Sequence, residues 1–402
     1  MINIPKFIAD NITLRQQSMF AEDIEANKDK LRAEIENKSV LVIGGAGTIG
    51  SSFIRAVLKF RPSKLYVVDI NENGLTELTR DLRSTADGYV PEKYITYPIN
   101  YADAVFEKMF RNEGGFDIVA NFSAHKHVRS EKDIYSVEAL ITNNVVNARK
   151  LLDLLSEYPP KHFFCVSTDK AANPVNIMGG SKKIMEDLIM SYSDKYSITT
   201  ARFANVAFSN GSLLDGFIQR VMKRQPLSAP NDVKRYFVSP DESGQICMLA
   251  CILGKSGEIF FPKLQPEQML TFAQIATMFL ANLGYKAVEC DSEETARQMS
   301  KNLLENDQNY PVFYFVSDTT GEKSYEEFFT ENEQVDLTAF HALGIIKNIE
   351  KRQITEIDAL FVSLNRLFSG TNTTKSQIVE TMKQFLLNFE HDEKGKNLDS
   401  KM

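Results

Sequence analysis

The 402-residue chain has no tryptophan, five histidines and four cysteines. The cysteines, Cys165, Cys247, Cys251 and Cys290, lack the paired spacing of a metal site or a disulfide framework. Cys247 and Cys251 stand at i,i+4 within "QICMLACIL", the spacing of two small buried side chains on one helix. His125 and His127 at i,i+2 have no evident third ligand, so no metal is expected. No apolar run reaches the ~20 residues that a membrane-spanning helix needs. The first 39 residues carry charges throughout and no continuous apolar stretch, so no secretory signal is expected and a cytoplasmic location is. Basic charge is not in excess either. Lys and Arg number 46 against 53 Asp and Glu, a net charge of −7, which argues against nucleic acid as a partner.

What is present is alternation. "SVLVIGGAGTIGSSFIRAVLKF" is a short apolar run, a glycine turn and a helix, and "KLYVVDINENGLTELTRDL" repeats strand then helix. Further strands are expected in "YITYPIN", "FDIVANFSAH", "HFFCVSTDK" and "SITTARFANVAF", with helical runs between them. Such a succession predicts an α/β fold, a Rossmann-like doubly wound parallel sheet covered on both faces. From about residue 206 the alternation breaks down. The spacing predicts a charged helical extension over 1–38, a dinucleotide-binding domain over 39–205, a smaller substrate-binding lobe over 206–330, and a helical extension with a polar tail over 331–402. "GEIFFPKL" and "PVFYFVSD" are expected as strands of the lobe.

"IGGAGTIG" places Gly44, Gly47 and Gly50 between a strand and a helix, with Thr48 and Ile49 opening that helix. The first two glycines let backbone N–H groups approach a pyrophosphate, and the third lets helix and sheet pack closely. Asp69 ends the next strand, about 20 residues on, where a carboxylate accepts bonds from an adenine ribose; this favours NAD over its 2′-phosphorylated counterpart. Asn100 and Tyr101 follow the third strand and are expected at the adenine edge. Ser123 and Ala124 follow the fourth, where small side chains let the chain pass the nicotinamide. Asn143 is expected to hold hydrogen bonds near the helix that follows.

That helix carries a further absence. Nicotinamide-dependent sugar enzymes of the short-chain type place Tyr-x-x-x-Lys there, and this chain has Met178 four residues before Lys182. A thioether has no proton to give or take. The strand end ten residues earlier offers Thr168, Asp169 and Lys170, a hydroxyl, a carboxylate and an amine in sequence.

"STDKAANPVNIMGGSKK" closely resembles the UDP-N-acetylglucosamine 4,6-dehydratases, a branch of the extended short-chain dehydrogenase/reductases with a methionine-for-tyrosine subgroup. The resemblance continues in "GGAGTIGSSFIR", "AHKHV", "RFANVAFSNGS", "KRYFV" and "GEIFFPKL", about residues 39 to 330. "SDTTGEKSYEEFF" resembles the versions associated with legionaminic acid and related bacterial sugars. The resemblance implies Thr168, Asp169 and Lys170 as catalytic groups, with Met178 in the vacated tyrosine position and Lys182 on the nicotinamide ribose. It also implies Lys126, His127, Asn205, Ser212 and Arg235 on the substrate, Arg235 clamping the diphosphate with a guanidinium fork. Many relatives have arginine where Asn210 stands, so one positive contact is missing or supplied elsewhere.

The implied reaction oxidises sugar carbon 4, eliminates water across carbons 5 and 6, and reduces carbon 6, with NAD as a retained cofactor. Asp169 is the expected acid at carbon 6 and Lys170 the base at carbon 5, provided the site shifts both toward neutrality. The substrate is expected to be UDP- or GDP-linked N-acetylglucosamine, and the protein a homo-oligomer. A nucleotide-sugar 4-epimerase and a non-catalytic NAD-binding relative remain open beside this reading.

Overall fold

A computed structural model describes residues 2–126, 131–304, 307–318, 323 and 325–391. Strands β1 (Ser39–Ile43), β2 (Lys64–Val68), β3 (Lys93–Tyr97), β4 (Ile118–Asn121), β5 (His162–Val166) and β6 (Ile198–Ala201) form the expected parallel sheet. Four of the five residues of β1, of β2 and of β5 are buried, as both-sided burial in a parallel sheet requires. Across the sheet the order from β3 is β3-β2-β1-β4-β5-β6. The winding reverses between β1 and β4, and the loops leaving those two strands open a crevice at that point.

The sheet is larger than residues 39–205. Glu258–Pro262 adds parallel to β6, so "GEIFFPKL" belongs to the main sheet rather than to the lobe. Leu343–Lys347 then pairs antiparallel with that strand, and Gln334–Asp336 with Leu343–Lys347, which makes nine strands. The segment expected as a purely helical extension thus closes one sheet edge. It then supplies helices Ile354–Phe368 and Lys375–Phe385, the first tied to helix Asn147–Glu157 by Arg149–Asp358 at 2.8 Å.

The lobe has a core of its own. Leu227–Pro230, Asn309–Phe315 and Lys286–Glu289 form a three-stranded parallel sheet beside helices Leu213–Met222 and Phe272–Asn282. Phe7, Ile8 and Ile12 pack into this core, whereas Phe20, Leu31 and Ile35 pack into the main one. The N-terminal extension therefore joins both bodies. Its charged run forms two helices, Ala21–Ala26 and Lys28–Ile35, with Asn27 between them. "SITTARFANVAF" also divides, into β6 and the short strand Asn205–Val206, which pairs with Phe237–Val238 of the lobe.

All four cysteines are buried and free. Among the described residues, no helix is long and apolar enough to cross a membrane.

Candidate active site

The glycine turn sits where the winding reverses. Gly44 has φ +74°, and a Cβ there would stand 2.7 Å from the Ser123 nitrogen, so the loops after β1 and β4 touch through bare backbone. A Cβ on Gly50 would lie 2.3 Å from the Gly44 carbonyl oxygen, which is why helix Thr48–Leu58 starts so close to the turn. Gly47 is the N-cap of that helix and offers no side chain to cover its free N–H groups. Asp69 Oδ2 accepts from the Ala46 N–H at 3.0 Å and Oδ1 from the Asn71 N–H at 2.9 Å. The turn is thus a concave run of backbone with a carboxylate at its rim.

Two of the expected cofactor residues have other work in the structure. Tyr101 is buried, and its hydroxyl donates to the Asn143 carbonyl at 2.9 Å, tying the end of β3 to the neighbouring helix. Asn100 Oδ1 accepts from the Ala102 N–H. Asn143 hydrogen-bonds as expected, its side-chain amide donating to Asn144 Oδ1 at 3.2 Å, and Asn144 carries the contacts onward. Its side chain accepts from the His125 N–H at 2.8 Å and donates to the His125 carbonyl and to Ser181 Oγ, both at 3.0 Å. A π-helical turn over Thr142–Val146 shifts the phase here, so regular helical spacing could not tell which asparagine faces inward.

A cavity of about 680 Å³ runs from this turn toward the lobe. Ile49 and Ala124 line its cofactor end, and Thr168, Asp169, Lys170, Met178 and Lys182 its wall beside β5. Lys126, Asn205, Ser212 and Arg235 line it farther out, while His127 lies outside the described residues. Thr48 meets the opposite loop, where its hydroxyl accepts from the Asn210 N–H at 2.9 Å. Ser212 caps helix Leu213–Met222 by accepting from the Asp215 N–H at 3.2 Å.

Thr168, Asp169 and Lys170 cluster at the end of β5. Thr168 Oγ1, the Lys170 N–H and Lys170 Nζ all donate to Asp169 Oδ1, at 2.8, 2.9 and 3.1 Å. The strand end is held from below. Ser167 Oγ donates to Glu186 Oε1 at 2.5 Å, and fully buried Arg202 grips both Glu186 oxygens at 2.9 and 2.7 Å. Arg202 also donates to Glu333, beyond the lobe, with both contacts at 2.9 Å.

Helix Ile177–Ser191 begins at Asn176, whose side chain accepts from the Gly179 N–H at 2.7 Å, and Glu131 Oε1 accepts the Met178 N–H at 2.8 Å. Met178 and Lys182 share one helical face. Lys182 Nζ donates to the Val166 carbonyl at 2.6 Å.

The two lysines are driven in opposite directions. Burial lowers Lys182, opposed by Cys165 and Glu186, and its proton affinity stays below the usual lysine value. Burial also pushes Lys170 down, but Asp169 and then Glu326 outweigh it and leave Lys170 above the usual value. Lys170 is therefore shifted away from neutrality rather than toward it. The cause is two carboxylates: Asp169 beside it, and Glu326 Oε1 at 3.6 Å.

Glu326 and Arg220 went unassigned in the sequence. Arg220 lines the cavity, three residues after buried Phe217 on one helix, and a cation on an otherwise apolar face was its only signal. Lys126, whose Nζ donates to the Asn210 carbonyl at 3.3 Å, adds a second cation to the cavity lining.

The chain matches the family described as "Polysaccharide biosynthesis protein" over residues 40–348. It belongs to that family. CapD of Staphylococcus aureus, named as a capsular polysaccharide biosynthesis protein, is 26% identical over 363 residues; the match takes in 88% of this chain and 55% of CapD, so the chain spans about half that relative's length. The UDP-N-acetylglucosamine 4,6-dehydratase (inverting) of Campylobacter jejuni strain 81-176 is 24% identical over 289 residues, 69% of this chain and 80% of that enzyme. A UDP-glucose 4-epimerase of Rickettsia bellii is 28% identical over 237 residues, 56% of this chain and 66% of that enzyme. Among solved structures, Pen from Bacillus thuringiensis superposes with a TM-score of 0.63 at 20% identity, covering 82% of this chain and 98% of that one. This family member therefore shares its fold with proteins that have diverged widely in sequence.

Proposed function

We propose that this polysaccharide biosynthesis protein is an NAD-dependent 4,6-dehydratase of UDP- or GDP-linked N-acetylglucosamine. One observation carries the reading. A carboxylate and an amine, Asp169 and Lys170, line a cavity together with Lys182, where the phenol of a simple reductase is replaced by Met178. Oxidation alone does not need such a pair; elimination of water needs an acid and a base. The similarity to the Campylobacter jejuni dehydratase supports the same reading.

The residues present fit a dinucleotide. The Gly44–Gly50 turn would hold its pyrophosphate, Asp69 its adenine ribose and Lys182 its nicotinamide ribose. NAD, when bound, supplies reversible hydride transfer, taking hydride from sugar carbon 4 and later returning it to carbon 6. The chain's own groups handle the protons. Thr168 relays the proton of the 4-hydroxyl, giving up its own hydroxyl proton as it accepts, and Lys182 as a free amine takes it up. Lys170 Nζ donates to Asp169 Oδ1 across 3.1 Å. One proton passing from Lys170 to Asp169 then leaves Asp169 as the acid for the departing 6-hydroxyl. Lys170 becomes a free amine, the base for the hydrogen on carbon 5. Arg235, Arg220 and Lys126 meet the diphosphate, which does not react.

Mass spectrometry after incubation with UDP- and GDP-N-acetylglucosamine tests this. A dehydratase yields a product lighter by one water from at least one of them. An epimerase leaves the mass unchanged while carbon 4 inverts, and a binding-only relative leaves both substrates intact.

A further inference from the structure

Glu326 follows the lobe strand Asn309–Phe315, far in sequence from the strand end that carries Lys170. Its side chain is only 5% exposed. Oε1 lies 3.6 Å from Lys170 Nζ and 3.7 Å from Arg235 Nη2. Oε2 is buried and has no hydrogen-bond partner among the described residues. The carboxylate is therefore held by two cations rather than by a hydrogen-bond network. Lys170 and Arg235 line the cavity, and Glu326 stands behind both.

Two cations on one wall of a buried cavity repel each other. Arg235 indeed works against the Lys170 ammonium, and Asp169 already has its Oδ1 engaged by Thr168 and by the Lys170 backbone. An anion between the two allows both to stay charged and in place. Arg235 is fixed from the other side as well, since Nη1 donates to the Lys234 carbonyl at 2.9 Å and to the Lys323 carbonyl at 3.0 Å. A carboxylate that served only to anchor its own segment would not need to contact the reacting lysine, and Glu333 already anchors the segment through Arg202.

We propose that Glu326 is a positioning residue that ties the reacting lysine, Lys170, to the diphosphate-binding arginine, Arg235, and supplies the negative charge between them. The assignment of reacting and diphosphate-binding roles rests on the dehydratase reading; the contacts themselves do not. The groups that face Glu326 are Lys170, Asp169, Arg235 and Lys323. Burial lifts its carboxyl above the usual range against the pull of Lys170 and Arg235, so the charge it keeps depends on those two partners.

The test uses the full-length protein and two variants, Glu326→Gln and Glu326→Asp. Glu327→Gln serves as control, because Glu327 is exposed and accepts only from Asn173 at 2.9 Å among the contacts described. Lys170 is labelled by formaldehyde and cyanoborohydride at neutral pH, and its methylation rate is read by peptide mass spectrometry. Loss of the carboxylate lowers Lys170 proton affinity and raises the free-amine fraction. Labelling of Lys170 in Glu326→Gln should quicken about tenfold, the effect of one pKa unit. Glu326→Asp and the control should stay near the wild-type rate. In turnover assays, the limb of the kcat–pH profile governed by Lys170 should move to lower pH in Glu326→Gln, with KM for the sugar nucleotide raised. Wild-type labelling rates and an unmoved pH profile in Glu326→Gln overturn the proposal, as does equal quickening in Glu326→Asp. If the wild type turns over no sugar nucleotide, the dehydratase reading fails, and the labelling arm still decides the role of Glu326.

Discussion

The two ends of the cavity are built by different means. At the cofactor end the work is done by backbone. Gly44 and Gly50 admit contacts that any Cβ would block, and the carboxylate facing them, Asp69, lies 23 residues beyond Ala46, to which it bonds. At the reacting end the work is done by charge, and the partners are distant in sequence. Arg202 and Glu333 are separated by 131 residues, and Lys170 depends on Asp169 next to it and on Glu326 far along the chain. A backbone-built end is sensitive to added volume. A charge-built end is sensitive to the loss of a single partner, because the groups left behind are buried and unpaired.

The sharpest way to break the cofactor end is Gly50→Val. Its Cβ would fall 2.3 Å from a carbonyl oxygen that cannot move without opening the turn. The variant should purify without dinucleotide, measured by denaturing the protein and identifying what is released. Retention of the cofactor would show that the turn is not the pyrophosphate cradle.

At the reacting end, Asp169→Asn removes the acid and leaves the turn intact. Turnover should fall roughly 10²–10⁴-fold, the usual cost of losing one positioned acid. Reduced dinucleotide should accumulate when substrate is added, because oxidation at carbon 4 still proceeds. If none forms although cofactor and sugar nucleotide bind, Asp169 acts in the first oxidation instead.

Arg202→Met tests the support beneath the strand end. It leaves Glu186 and Glu333 without their shared cation, and breaking a buried pair in this way costs about 3–5 kcal/mol. The exposed pair Arg55–Asp81, at 2.6 Å, is the contrast: Arg55→Met should cost less than about 1 kcal/mol. Denaturant unfolding of both variants measures the difference, and equal losses would remove the distinction between buried and surface charge.

Met178→Tyr should have the smallest effect on turnover. Met178 is 2% exposed, and the added ring overpacks its site by about 1–3 kcal/mol of stability. Turnover should stay flat or fall modestly. A large rise would show that the Asp169–Lys170 pair is not the main proton carrier.

The difference between the two ends also accounts for what was readable before folding. Alternating strands and helices, the glycine spacing and Asp69 are local patterns, and each stands in the structure where its spacing predicted a strand end or a turn. The assignments that moved depend on phase or on distant pairing. Asn144, which accepts from the Asn143 side chain, reaches helix Ile177–Ser191 through Ser181 because a π-helical turn intervenes. Tyr101 gives its hydroxyl to a backbone carbonyl, a partner 42 residues away. Glu258–Pro262 reads as an isolated apolar strand, and nothing within it says that β6 is its neighbour.

Short-range spacing thus determined the doubly wound sheet, the glycine turn, and the neighbouring positions of Asp169, Lys170 and Lys182. Period and turn chemistry act over a few residues and leave their mark in those residues. The fold alone decided that residues from 326 onward reach back to the site, that Glu326 stands between Lys170 and Arg235, and that the two lysines differ in proton affinity. Proton affinity in a buried site is set by the charges that surround it, and those charges come together only when the chain is folded.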